Sequence, residues 1–107
     1  MPAYVIVRAD ITDPVQYQKY LDAVPHVIEK YGGTAIDRAP APVTLEGPVE
    51  SRRIVVLQFP TVDRAREFYT SPEYCPGRKL RQDAAVGEMV IVEGVGPDNP
   101  VANHHAL

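Results

Sequence analysis

Two periods of apolar residues run along this chain, and where they switch predicts the elements. Residues 3–9, "AYVIVRA", form an uninterrupted β-rich run and predict a first strand. Tyr17, Tyr20, Leu21, Val24, Val27, Ile28 and Tyr31 then recur at helical spacing as one apolar stripe. Asp13 is placed to cap that helix, and Pro14 takes its first position, where a missing N–H costs nothing. Gln16 stands three residues after Asp13 and completes a capping-box pattern. Pro25 falls inside the stripe and removes the bond to the Leu21 carbonyl, so a kink is expected there. Gly32-Gly33 ends the helix, with Gly32 suited to a left-handed position.

Residues 34–39, "TAIDRA", predict a second strand. The following "PAPVTLEGPVES" (40–51) reads as a strand extension plus a turn, with "VTLEG" (43–47) pairing at a sheet edge. "RRIVVLQF" (52–59) is the strongest strand pattern of the chain, and Pro60 stops it. Thr61 caps a helix over 62–70, with Val62, Ala65, Phe68 and Tyr69 on one side. Ser71-Pro72 closes that helix and opens a single turn at 72–75, followed by a helix from Pro76 to about Ala85. Gly87 is expected to end it, and "EMVIVEGV" (88–95) is the last strand. The tail, 96–107, has no periodicity and reads as flexible.

Strand, helix, strand, strand, helix, strand is the order of a ferredoxin-like βαββαβ sandwich, an α+β fold with its helices on one face of an antiparallel sheet. One such domain is expected over residues 1–95. The strands, however, are apolar on both faces. Tyr4 and Ile6 oppose Val5 and Val7. Ile54 and Val56 oppose Val55, Leu57 and Phe59. Met89 and Ile91 oppose Val90 and Val92. Helices cover one face only, and a large exposed apolar patch is rare on a monomer. The simplest cover is a second copy packed face to face, so a homodimer is expected.

Composition narrows the function. The chain has 107 residues, 45% of them hydrophobic, which is one small folded domain. A net charge of −3 and the lack of any long basic run argue against a nucleic-acid partner. The N-terminal apolar run is too short for a signal peptide or membrane span, so no membrane partner and a cytoplasmic address are expected. Cys75 is the single cysteine; no internal disulfide is possible, and it reads as a half-buried small hydrophobe. No phosphate loop, zinc spacing or dinucleotide fingerprint occurs. His104-His105 in the tail lacks flanking ligands, so no metal and no cofactor are expected.

The motifs "DPVQYQKY" (13–20), "YGG" (31–33), "LEG" (45–47), "VVLQFP" (55–60), "FYTSPEY" (68–74) and "LRQDAA" (80–85) resemble the bacterial family called domain of unknown function 1330. The resemblance covers about residues 2–95. It implies the ferredoxin-like fold and face-to-face dimer of the dimeric α/β-barrel superfamily, and it carries no settled activity. "CPG" at 75–77 departs from the pattern, since relatives usually continue there as helix.

The aromatic residues supply the candidate chemistry. Six tyrosines outnumber two phenylalanines, and a buried tyrosine needs a partner for its hydroxyl. Arg8, Arg38, Glu46, Arg53 and Arg81 lie on strands or near the inner helix surface and are possible partners. A pocket between sheet and helices would draw on Tyr17, His26, Arg38, Glu46, Tyr69, Tyr74 and Arg81. Tyr74 and Arg81 flank the broken helix and are expected to share one cleft edge, where an arginine would attract a carboxylate or phosphate. Glu46 and Arg38 have a purely structural alternative as a pair across a hairpin. Three functions stay open. The first is a homodimer binding a compact organic ligand. The second, on superfamily analogy, is a cofactor-independent isomerase or oxygenase using His26 or Glu46 as base. The third is a structural or interaction role. Haem chemistry is least favoured, because only His26 within the domain could be an axial ligand.

Overall fold

The computed structural model describes residues 1–36 and 42–95. β1 (Ala3–Ile11) alternates strictly: Ala3, Val5, Val7 and Ala9 are buried, and Tyr4, Ile6 and Arg8 face the other way. α1 (Pro14–Ala23) begins where its signals place it, with Asp13 Oδ1 accepting from the Gln16 N–H at 3.1 Å. The capping box stays open, because the Asp13 N–H donates instead to the Ala84 carbonyl at 3.0 Å. Pro25 separates the helix in two rather than only kinking it. α2 (Pro25–Lys30) restarts there, and the Val27 and Ile28 N–H groups both donate to the Val24 carbonyl at 3.0 Å. Gly32 ends it at φ 81°.

β2 is short, Thr34–Ala35, and is prolonged by the Ile36 N–H donating to the Val56 carbonyl at 3.0 Å. The remainder of the expected second strand, including Arg38, lies outside the described residues, as do His104, His105 and the tail. Residues 43–47 do not pair at the sheet edge. Val43 and Leu45 are exposed, Gly47 turns the chain at φ 87°, and Thr44 Oγ1 accepts from the Glu50 N–H at 2.9 Å to close a loop. Pro42 and Pro48 cannot donate to a ladder, which disfavours a strand on this stretch.

β3 (Arg53–Phe59) leads into α3 (Val62–Thr70), capped by Thr61 Oγ1 accepting from the Arg64 N–H at 3.1 Å. Ser71 then does two jobs. Its hydroxyl donates to the Phe68 carbonyl at 2.7 Å and accepts from the Tyr74 N–H at 3.1 Å. That closes α3 and turns the chain into α4 (Cys75–Ala84), which starts one residue earlier than expected, with Pro76 in its first turn. β4 (Ala85–Glu93) follows α4 directly. Gly87 therefore does not end the helix. It lies within β4 opposite Ala9, where a Cβ would collide with the Arg8 carbonyl oxygen.

The sheet order is β2-β3-β1-β4 with antiparallel neighbours, the ferredoxin-like arrangement, each of its helical segments divided in two. The core lies between sheet and helices, with Val5, Val7, Leu57, Phe59, Phe68 and Tyr74 all buried. On the opposite face Ile36, Val56, Ile6 and Val90 form one row across all four strands. Ile36 is 49% exposed and Val90 43%, so this row stands in water on a single chain.

Candidate functional site

The inner face of the sheet does not pack flush against the helices, and among the described residues two cavities lie between them. The smaller, about 470 Å³, lies between β1 and β4 on one side and α3 and α4 on the other; Val5, Phe68, Tyr69, Arg81, Met89 and Ile91 are among its walls. The larger, about 600 Å³, lies under α1 and α2 against β2 and β3, with Tyr17, Tyr20, Ile28, Arg53, Val55 and Leu57. Both fall within the roughly 300–1,000 Å³ typical of small-molecule sites.

A chain of aromatic rings links the two cavities. Tyr17 and Tyr20 have centroids 5.5 Å apart, Tyr20 and Tyr74 6.4 Å, and Tyr74 and Tyr69 5.9 Å. Phe68 stacks at 4.4 Å from Tyr74. Helical spacing puts Tyr17 and Tyr20 one turn apart on α1, and the Ser71 turn brings Tyr74 to meet them. The Tyr20 and Tyr74 hydroxyls lie 3.1 Å apart and share one buried hydrogen bond, one donating and the other accepting. Burial pushes the Tyr20 hydroxyl well above its ordinary pKa, and the Tyr74 hydroxyl adds to the shift. Tyr17 is also raised by burial, while first Arg53 and then Arg81 pull it back.

Two guanidinium groups complete the site. Arg53 stands 5.7 Å over the Tyr17 ring, and Arg81 on α4 is only 6% exposed. The Nε of each is enclosed and has no hydrogen-bond partner among the described residues. Arg53 shares strand parity with Val55, Leu57 and Phe59, which is the signal that places it inward.

The expected site residues divide. Tyr17 lines the larger cavity, and Tyr69 and Arg81 the smaller. Tyr74 is buried but lines neither. The Ser71 turn sends it into the core behind Tyr69, so the cleft edge expected for Tyr74 with Arg81 is formed by Tyr69 with Arg81 instead. His26 is exposed on α2, beside the Lys30–Glu73 ion pair and Pro76, and lines neither cavity. Glu46 is exposed in the loop before β3, also away from both. Neither proposed base therefore reaches this space. Glu73 accepts from Lys30 Nζ at 2.7 Å and from the Tyr31 hydroxyl at 2.8 Å, and Lys30 first, then Tyr31, hold its carboxyl down at about 2. Cys75 is exposed at the start of α4 rather than half-buried, because the helix turns its buried face through Gly77, Arg81 and Ala84. Among the described residues no group of three or more His, Cys, Asp or Glu is placed to hold a metal, and no helix is long and apolar enough to cross a membrane.

A four-stranded antiparallel sheet with helices enclosing apolar, arginine-marked cavities defines an α+β protein of ferredoxin-like fold. The chain belongs to the family described as a domain of unknown function, DUF1330, whose model matches residues 2–95. Its fold is similar to that of RPA0582, a protein of unknown function from Rhodopseudomonas palustris, at TM-score 0.70 and 21% identity over 90% of this chain and 84% of that one. SnoaB, a cofactor-independent oxygenase from Streptomyces nogalater, matches at TM-score 0.63 and 8% identity, over 91% and 96% of the two chains. A dimeric protein of unknown function and ferredoxin-like fold from Bacteroides fragilis matches at TM-score 0.58 and 17% identity, over 87% and 96%. No curated protein matches the chain.

Proposed function

We propose that the protein is a small homodimer that binds a compact organic molecule between its sheet and its helices. The observation that carries this reading is the pair of cavities of about 470 and 600 Å³, walled by apolar side chains and each marked by an inward arginine. A few placed polar groups on an apolar lining are what orient a small ligand. The exposed Ile36, Val90 and Val92 support the homodimer, because a second sheet packed on this face would remove them from water. The dimeric neighbour of the same fold agrees with that assembly. A cytoplasmic address belongs to the same reading, on the sequence grounds given above.

An oxygenase or isomerase reading rests on likeness of fold to SnoaB and on no specific group among the described residues. A thermal-shift screen against anionic, neutral and cationic metabolites tests the binding reading. A ligand should raise the melting temperature as its concentration rises above its dissociation constant, and one bound in the smaller cavity should protect the half-buried Tyr69 from nitration. A screen in which no class of compound raises the melting temperature would refute it.

A further inference from the structure

Arg81 is the anomaly of the smaller cavity. It is 6% exposed, its Nε is enclosed without a partner, and it forms no ion pair or hydrogen bond with any described residue. Two half-buried arginines of β3 and its approach do have contacts. Arg53 has the Tyr17 ring, and Arg52 has both Glu50 and Glu88 at 2.7 and 3.0 Å. The walls of the smaller cavity hold a second arginine, the exposed Arg66, and no aspartate or glutamate at all. A guanidinium this enclosed, with no acidic partner among the described residues, carries a desolvation cost that nothing nearby offsets. A counter-charge from outside the chain would remove that cost.

The rest of the wall says what should carry the charge. Val5, Ala65, Phe68, Ala85, Met89 and Ile91 are apolar, and Tyr69 supplies a flat ring. Arg78, which does not line the cavity, lies over that ring at 5.1 Å from the centroid. A guanidinium presents two parallel N–H groups, which match the planar fork of a carboxylate. One buried arginine without a nest of backbone donors suits a monoanion better than a phosphate.

We propose that the smaller cavity takes a monocarboxylate with a flat apolar body, its carboxylate held by Arg81 and its body laid against Tyr69, Phe68 and Met89. The proposal rests on the ligand-binding reading above and names the class of ligand for one of its two cavities.

The chain offers a local reporter. It has two methionines; Met89 lines this cavity, and Met1 is 58% exposed at the terminus. Protein labelled with ¹³C at the methionine methyls would be titrated with benzoate and with its neutral isostere benzamide. Benzoate should shift the Met89 signal saturably and leave Met1 in place. Benzamide, and benzoate against Arg81→Gln, should bind about ten- to hundredfold more weakly, the factor expected for losing one charge-assisted pair. Equal Met89 shifts for benzoate and benzamide would overturn the anion assignment and leave the binding reading standing. No Met89 shift with either probe would overturn the anion assignment along with this cavity's part in binding. A second readout separates binding from structure. Arg81→Met should raise the melting temperature of the ligand-free protein, because a similar volume is filled without a charge. A lower melting temperature for Arg81→Met would mean that the guanidinium supports the fold, and would also overturn the proposal.

Discussion

Gly77→Ala tests how α4 is seated. Gly77 is buried in the first turn of α4, and a Cβ built there would lie 2.7 Å from Val24 Cγ2. Carbon atoms sit comfortably at about 3.5–4.0 Å, so nearly an ångström of room must be found. Val24 cannot supply it cheaply. It is 3% exposed, and its branched Cβ keeps χ1 stiff. Two effects oppose each other. Alanine is favoured over glycine within a helix by about 0.8–1 kcal/mol, and by less in a first turn. Overpacking a tight contact costs about 1–3 kcal/mol. The contact should win, with a net loss of about 1–2 kcal/mol and a fall in melting temperature of about 5–10 °C. Pairing it with Val24→Ala should recover part of the loss, with a coupling of at least about 1 kcal/mol in a double-mutant cycle. Gly77 and Arg81 are four residues apart on one face of α4, so the same push should also weaken benzoate binding. Urea denaturation of the four proteins measures the cycle. A Gly77→Ala protein as stable as its parent, or more stable, would show that α4 does not depend on this close approach.

Three further outcomes follow from the same geometry. Val56→Asp puts a carboxylate in the middle of the apolar row on the outer face, and should leave monomer or insoluble protein; sedimentation equilibrium at micromolar concentration showing an intact dimer would refute the face-to-face assembly. Tyr74→Phe strands the buried Tyr20 hydroxyl and should cost about 1–3 kcal/mol, while Tyr20→Phe combined with it should cost clearly less than the sum of the two single changes, as read by denaturant midpoints. Glu73 and Glu50 are both held at about 2 from a reference of 4.5, by Lys30 and by Arg52 respectively. A depressed carboxylate lends stability that is fully present above about pH 4.5 and is lost as pH falls toward 2, so a pH series of melting temperatures should drop across that window, and Glu73→Gln should flatten the drop.

The architecture was legible because its signals are local and mutually consistent. Caps at Asp13 and Thr61, the turn at Ser71 and the left-handed Gly32 each act within a few residues, and each fell where expected. A period of two divided each strand into two opposed sets, but both sets are apolar, so which one faces the helices was decided only by the packing. What failed depended on partners far along the chain. Gly87 looked like a helix terminator, but its role is set by the Arg8 backbone beside it in the sheet. The loop at 43–47 has a strand's residue types, yet Pro42 and Pro48 withhold the donors an edge would need. In the site, Tyr17, Tyr69 and Arg81 could be named from helical spacing. The depth at which each sits could not, because burial of Tyr74 behind Tyr69 depends on the angle at the Ser71 turn. Arg53 was named only as a possible tyrosine partner, and the structure sets its guanidinium over the Tyr17 ring rather than at a hydroxyl.

The alternation of β1 also separates the proposed dimer face from the cavities. Val5 and Val7 point into the two cavities, while Ile6 between them belongs to the outer row with Val56 and Val90. β3 repeats the division, with Val55 and Leu57 inward and Val56 outward. Adjacent residues on one strand thus serve different surfaces, and a strand's rigidity keeps them from exchanging places. Covering the outer row with a second sheet leaves the inner cavities geometrically untouched. It would still affect them indirectly, because the sheet that forms their floor would lose its freedom to flex once it is held from behind. A ligand that requires a stiff floor should therefore bind the dimer more tightly than a dissociated chain, and by linkage it should strengthen the dimer by that factor for each protomer it occupies.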